Sequence, residues 1–337
     1  MVEQTDLNLH EPLDKDAEST IRRVPLQPLL ATAALTLHGD YYRQLQSISN
    51  SHIVWHPVAR TFVLSILTAA LFYVYGDLFS MSDSVGEFIH LFKNNKFLLT
   101  KFFPVLLFIA GTLGTASFMI TDEFRLISDG LATEKYMLKL FRFPLKVYAN
   151  AEEKDFSTKS ALPFLSSASH STDFIEYRGS PIAVVTVIPV PDASTNDVFY
   201  AKISGLHVRK VYRESGLQEE LLMIAKEKAR ELCTRYVKDM NLKTSNIKII
   251  IQADAYTCDK VLTKLYESNG FHEIKRSTAI DPFFPEKKTE SLLNIMSVGT
   301  VMKFFGIFRV SYELELDNTI EVVHEKESKK QVRKRKN

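Results

Sequence analysis

Val198–Gln218, VFYAKISGLHVRKVYRESGLQ, is the stretch whose reading decides the fold. Apolar and polar residues alternate up to Val208, as in a half-buried strand. A short basic turn follows, and then a long amphipathic helix begins beside Gly216. A helix N-terminus set against a strand end presents unpaired backbone N–H groups, a geometry that favours phosphate or another anion.

The pattern extends outward in both directions. The helix is expected from Ser215 to Met240, with Leu217, Leu221, Ala225, Ala229, Leu232, Tyr236 and Met240 at helical spacing. Upstream, strands are expected over Asp173–Arg178 and Ile182–Val190, joined by Gly179-Ser180-Pro181 and followed by a PDASTND turn. Downstream come a strand at Ile247–Gln252, a helix at Thr257–Asn269 ended by Gly270, and strands at Phe271–Ile280 and Phe304–Leu316. A Pro-rich amphipathic insert separates the last two. Near the start, IRRVPLQP reads as a strand and Leu29–Ser49 as a helix. A further helix is expected over Thr121–Arg142, with Phe124, Leu131, Met137, Leu138 and Phe141 as its apolar contacts and Pro144 closing it. Residues 151–173 read as a Ser-rich loop. The class is α+β, a mixed and mostly antiparallel sheet flanked by helices.

Two apolar blocks interrupt this sheet unit. Thr61–Ser80 carries one charge, Asp77, near its end, and Leu98–Ile120 is similarly long and apolar. Each is long enough to span a bilayer. Two buried core helices of a soluble protein are the competing reading. Gly111, Gly114, Thr115 and Ser117 put small residues on the second block, where helices packing in lipid need them. The 17-residue connector Met81–Phe97 is too short to be a domain, so the spans form a hairpin with both chain ends on one side. Arg43, Arg60, Arg125, Lys135 and Lys139 flank the hairpin, against Lys93 and Lys96 in the connector, which puts both termini in the cytosol. The chain thus divides into an acidic lead (1–19), a first strand and helix (20–60), the hairpin (61–120, spans 61–80 and 98–120), the rest of the sheet unit (121–322) and a basic tail (323–337). The tail approximates an endoplasmic-reticulum retrieval signal, with a solvated charge run as the alternative.

Composition excludes some classes. Lys+Arg 42 against Asp+Glu 40 gives a net charge of +2, so no basic field argues for nucleic acid. The two cysteines, Cys233 and Cys258, read as packing residues in a reducing compartment, and no His/Cys/Asp/Glu set has metal spacing.

The order of elements, with LHVRKVYRESGLQEELLMIAKEKA (Leu206–Ala229) and KLYESNGF (Lys264–Phe271), resembles the GNAT acyltransferase fold. The resemblance implies an acyl-CoA cradle at Leu206, Val208, Arg213, Gly216, Leu217 and Gln218, and Tyr266 as the acid that protonates the departing thiolate of acetyl-CoA. His207 is then a possible base, with a half-buried strand histidine as the bland alternative. Departures stand beside the match. Gln218 replaces a small residue of the turn, Glu214 brings a carboxylate to it, and Asp259 and Leu262 replace the usual Asn and Ala.

PLDKDAEST, ATAALTLHGDYY, VWHP and FMITDEFRLISD are similar to a fungal endoplasmic-reticulum membrane family required for packaging the high-affinity phosphate transporter into export vesicles. That similarity implies a non-catalytic chaperone with no cofactor. Its partners would be the bilayer, a polytopic phosphate transporter and vesicle-coat components. The alternative is an active membrane-anchored N-acyltransferase.

Overall fold

A computed structural model describes residues 21–150, 170–240, 247–284 and 298–316. The acidic lead, the basic tail, nearly all of the Ser-rich loop and most of the Pro-rich insert lie outside the described residues. Seven strands form one sheet: β1 (Ile21–Pro25), β2 (Thr172–Tyr177), β3 (Ser180–Pro189), β4 (Val198–Val208), β5 (Lys248–Tyr256), β6 (His272–Ser277) and β7 (Arg309–Leu316). Their order is β1-β2-β3-β4-β5-β7-β6. Every neighbouring pair is antiparallel except β4 and β5.

That parallel pair makes the opening. Pairing runs from Val198↔Lys248 to Ile203↔Ala253 and stops, although both strands continue. On its other edge β4 stays paired to β3 as far as Ala183↔Val208. The register there jumps from Thr186↔Gly205 to Val187↔Ile203, leaving Ser204 bulged. Two parallel strands that part company leave a V-shaped cleft, since among the described residues no strand pairs with Ser204–Val208 from the β5 side.

Helices α1 (Ala31–Val54) and α7 (Leu217–Asp239) cover the sheet. His38, Leu37, Tyr41, Tyr42 and Leu45 of α1 are buried in the same core as Ile203, Leu206, Leu221 and Ala225. The approach is closest at Gly205, where an added Cβ would lie 2.4 Å from the His38 ring. The ring is held there by a 2.9 Å hydrogen bond between His38 Nε2 and Thr186 Oγ1.

The apolar blocks become α2 (Pro57–Met81) and α4 (Phe102–Gly130). In each, only 11% of the most apolar stretch is buried, which decides against core helices. Phe62, Leu64, Phe72, Tyr73, Leu107, Phe108 and Met119 all stand exposed, a display that water disfavours and lipid accepts. The hydroxyls of Thr61, Ser65 and Thr68 donate to the carbonyls of Pro57, Thr61 and Leu64, so they need no partner outside α2.

Several boundaries differ from expectation. Lys101 lies inside the expected second span, and the α-helix begins after it. That helix does not end at Ile120 but runs on to Gly130, where α1 takes it over: Thr121 Oγ1 donates to Asn50 Oδ1 at 2.6 Å and Ser128 Oγ to the Gly39 carbonyl at 3.0 Å. The single helix expected over 121–142 is therefore broken, and its second half is α5 (Glu134–Phe141), followed by α6 (Leu145–Ala149). Leu138, expected as a contact, is exposed, as is Met240. The connector contains a helix, α3 (Val85–Asn94). β5 extends four residues past Gln252, and the helix after it, α8 (Lys260–Ser268), starts late because Asp259 caps it. Phe304 belongs to a helix, α9 (Val298–Phe304), which Gly306 terminates with φ at 73°, before β7 begins.

Gly205→Ala tests the contact between α1 and the sheet. A methyl at 2.4 Å from an imidazole forces both elements apart, so the variant should lose about 1–3 kcal/mol, read as a lowered thermal midpoint of the detergent-solubilised protein.

Candidate functional site

The splay between β4 and β5 is filled by side chains. His38, Tyr41 and Tyr42 enter it from α1, Leu262 and Tyr266 from α8, and Pro282 and Phe283 from the segment after β6. Tyr41 packs on Tyr42 at 5.2 Å and on His207 at 5.9 Å, and Tyr42 on Phe283 at 6.3 Å. What is left is a cavity of about 30 Å³. That is room for about one or two waters, while pockets for small ligands start at about 300 Å³.

Tyr266 does reach this cavity. It is fully buried, packed on Phe271 at 5.0 Å and on Tyr312 at 5.6 Å. Burial, helped by Asp254 and Asp259, pushes its phenol well above the usual value, so it is protonated at neutral pH. Its placement suits a proton donor, and the cavity beside it measures about 30 Å³. His207 is less suitable as a base. Burial first, then Arg213, His38 and Arg209, hold its imidazole well below the usual value, and Gln44 Nε2 lies 3.3 Å from its Nε2. A group whose cation is this disfavoured is a poor proton acceptor.

Asp254 is the cleft carboxylate that sequence reasoning missed. It stands on β5 past the expected strand end, and the alternation Gln252, Asp254, Tyr256 was its signal. Burial would raise its pKa, but Lys202 and Arg309, with hydrogen bonds from Lys202 and Ser311, outweigh this and hold it below the ordinary value. Lys202 Nζ sits 2.8 Å from Asp254 Oδ2, and Ser311 Oγ donates to Oδ1 at 2.7 Å. Its charge is already spoken for.

The anion turn is also altered. Gly216 adopts φ 79° as the N-cap of α7, so the backbone has the expected shape. Glu219 and Glu220 occupy the first turn, where they suit the helix dipole and repel an incoming phosphate. Gln218 and Leu217 are buried, Glu214 is exposed, and Leu206 and Val208 face the core. Arg213 turns inward, its guanidinium 4.0 Å from Asp259, whose carboxylate also accepts from the Leu262 amide. Among the described residues no group of three or more His, Cys, Asp or Glu could hold a metal.

On α4 the small residues split. Gly111 and Thr115 line a shallow exposed groove with Leu107, Phe108, Thr112 and Met119. Gly114 is exposed beside it, and a Cβ on Gly111 or Gly114 would meet nothing within 4 Å. Ser117 is buried, and its hydroxyl donates to the Gly114 carbonyl at 3.1 Å.

The sequence matches the family of the inorganic phosphate transporter chaperone Pho86 over residues 3–316. The chain belongs to that family. Comparison with curated proteins returned no match. Among solved structures, a Bacillus anthracis protein assigned as a streptothricin acetyltransferase, solved with acetyl coenzyme A, is 18% identical with a TM-score of 0.28. The likeness covers 43% of this chain, which spans only 63% of the length of that protein. Arabidopsis thaliana Naa50, with a bisubstrate analogue, is 12% identical at TM-score 0.29, covering 53% of this chain and 91% of that one. A GNAT-family acetyltransferase of Streptococcus pneumoniae is 12% identical at TM-score 0.28, covering 51% and 75%. Likenesses at this level carry no argument about activity. The GNAT-like architecture of this Pho86-family chain stands on its strand order and its single splayed parallel pair.

The buried histidines give a pH signature. Burial pushes His38 down to about 3, and His207 moves the same way. Between about pH 6.5 and 3 the unfolded imidazole holds a proton that the folded one refuses, so stability falls as pH drops through that window. His38 should cost about 2 kcal/mol at pH 5 relative to pH 7, and His207 adds a loss of the same sign. Thermal midpoints measured across pH 5–7 should slope accordingly, with a shallower slope for His38→Gln.

Proposed function

We infer that the protein is an endoplasmic-reticulum membrane chaperone that assembles and packages a polytopic inorganic phosphate transporter for export, and that it carries out no catalytic step. Its hairpin spans the bilayer twice, with both termini cytosolic and the sheet on the cytosolic side.

One observation carries the reading beyond the family assignment. Gly111 and Gly114 sit in the middle of a long exposed helix with open space where their side chains would be. A helical glycine costs roughly 0.5–1 kcal/mol relative to alanine, and none of the described residues uses the close approach it permits. A partner helix would use it, since small residues let backbones meet in lipid. The hairpin would then hold incompletely packed transporter helices and shield their polar groups until they find one another, while the sheet domain presents export signals to vesicle-coat components.

The cleft supports the non-catalytic half. Tyr41, Tyr42 and Phe283 line the splay between β4 and β5 and leave a cavity of about 30 Å³, Asp254 is paired to Lys202, and Arg213 is turned to Asp259. Calorimetry of the solubilised full-length protein should therefore show no binding at millimolar acetyl-CoA. Micromolar binding abolished by Gly216→Glu would instead favour an N-acyltransferase.

Cells lacking the protein should retain the transporter in the endoplasmic reticulum. Gly111→Leu should reduce co-purification of transporter with the chaperone from detergent-solubilised membranes severalfold without lowering the amount of chaperone. Normal surface delivery in the deletion would contradict the proposed role.

A further inference from the structure

The connector between α2 and α4 is a built element. Ser84 Oγ accepts from the Glu87 amide at 3.2 Å while Glu87 Oε2 accepts from the Asp83 amide at 3.0 Å, a reciprocal cap that starts α3. Asn95 closes it, donating from its side-chain amide to the Leu91 carbonyl at 2.9 Å. Within the helix Val85, Phe88, Ile89 and Phe92 recur at the spacing of one apolar stripe, and Glu87, His90 and Asn94 fall on the opposite side.

Half of the stripe is used inside the chain. Phe88 stacks on Phe79 at 4.7 Å and Phe92 packs on Tyr75 at 5.5 Å. Phe79 and Tyr75 are one turn apart on α2 and meet α3 in reverse order, so α3 folds back beside the last turns of α2. Tyr75 also stacks on Phe102 at 5.4 Å, which sets the first residue of α4 level with it. From Phe102 to Ile120, α4 rises about 28 Å, close to the roughly 30 Å of a bilayer's hydrocarbon. Its other end is fixed to the sheet domain by the Thr121–Asn50 bond. On the reading that α4 spans the bilayer, the level of Tyr75 and Phe102 falls at the far edge of the hydrocarbon, and the connector lies in the headgroup zone beyond it.

The other half of the stripe is open. Val85 is 78% and Ile89 52% exposed, and the neighbouring Phe79, Met81 and Phe97 are exposed as well, so the apolar surface of α2 continues onto α3. We propose that α3 is an interfacial helix. It rides in the leaflet away from the sheet domain, with Ile89 at the boundary between headgroups and acyl chains and with Glu87 and His90 in water. Its partner is a lipid surface. The stripe itself carries no charge and continues the apolar surface of α2; Glu87 falls on the other side, and Lys93 flanks the stripe beside Ile89, where its long side chain can carry its ammonium to the headgroups. Clamped to α2 by the two aromatic pairs, α3 fixes the depth of the hairpin and therefore the level at which Gly111 meets a neighbouring helix. The inference rests on the reading that α2 and α4 span the bilayer.

Trp55 is the single tryptophan, so a Trp55→Phe background gives a silent full-length protein for reconstitution into phosphatidylcholine vesicles brominated at different acyl depths. Ile89→Trp should lose about twice as much emission as His90→Trp to lipids brominated close to the headgroup. Leu71→Trp, in mid-α2, should be quenched best by lipids brominated deep in the chain. Weak and equal quenching of Ile89→Trp and His90→Trp, with Leu71→Trp strongly quenched, would overturn the interfacial helix; it is the outcome expected if protein or water covers the stripe. Absence of quenching for Leu71→Trp would overturn the spanning reading itself, and the proposal with it.

Discussion

The approach of α1 to the bare backbone of Gly205 is the contact on which the rest depends. Only a glycine lets the His38 ring come so close to β4. The next residue, Gly39, does the same on the other side of the helix, where a Cβ would lie 3.2 Å from Ser128 Oγ of α4. Two adjacent residues of one helix thus bind the sheet and the hairpin. The same helix sends Tyr41 and Tyr42 into the splay between β4 and β5. Filling the cleft and holding the hairpin are one structural act.

This coupling explains how an acyltransferase-like frame serves a chaperone family. The strand order, the Ser204 bulge and the left-handed Gly216 give the sheet its GNAT-like outline. The side chains around it are engaged within the chain: Arg213 with Asp259, Asp254 with Lys202 and Ser311, Tyr266 with Phe271 and Tyr312. A rigid, filled sheet domain is a firm base for two long helices that bury little of their own surface. The hydroxyls of Thr61, Ser65 and Thr68 on α2 and of Ser117 on α4 are bonded within their own helices, so at those positions the helices offer a neighbour shape and apolarity.

Much of the fold was legible. β4 matches its expected limits because strict alternation and a following basic turn leave one reading, and the order of strands and helices around it follows from the same periodicities. The misses have physical causes. The span signal of α4 stops at Ile120 because charge begins, but helix propensity does not stop there, and the grip of α1 carries the helix to Gly130. α3 is short enough that its capping box, not its length, was its signature. Asp254 was lost because an aspartate in an apolar run reads as a strand end, while the approaching Lys202 stands on a neighbouring strand. The closure of the cleft was illegible in principle, since His38 and Tyr41 lie on a helix about 165 residues before the strand they cover.

The central claim is that client contact belongs to the exposed face of α4 and not to the sheet cleft. Photo-crosslinking in native membranes tests it most directly, with a photoreactive residue placed at Leu107 on the α4 groove or at Val261 on the exposed side of α8 beside the cleft. The account predicts capture of the phosphate transporter from position 107 and none from position 261. Capture from position 261 alone would contradict it.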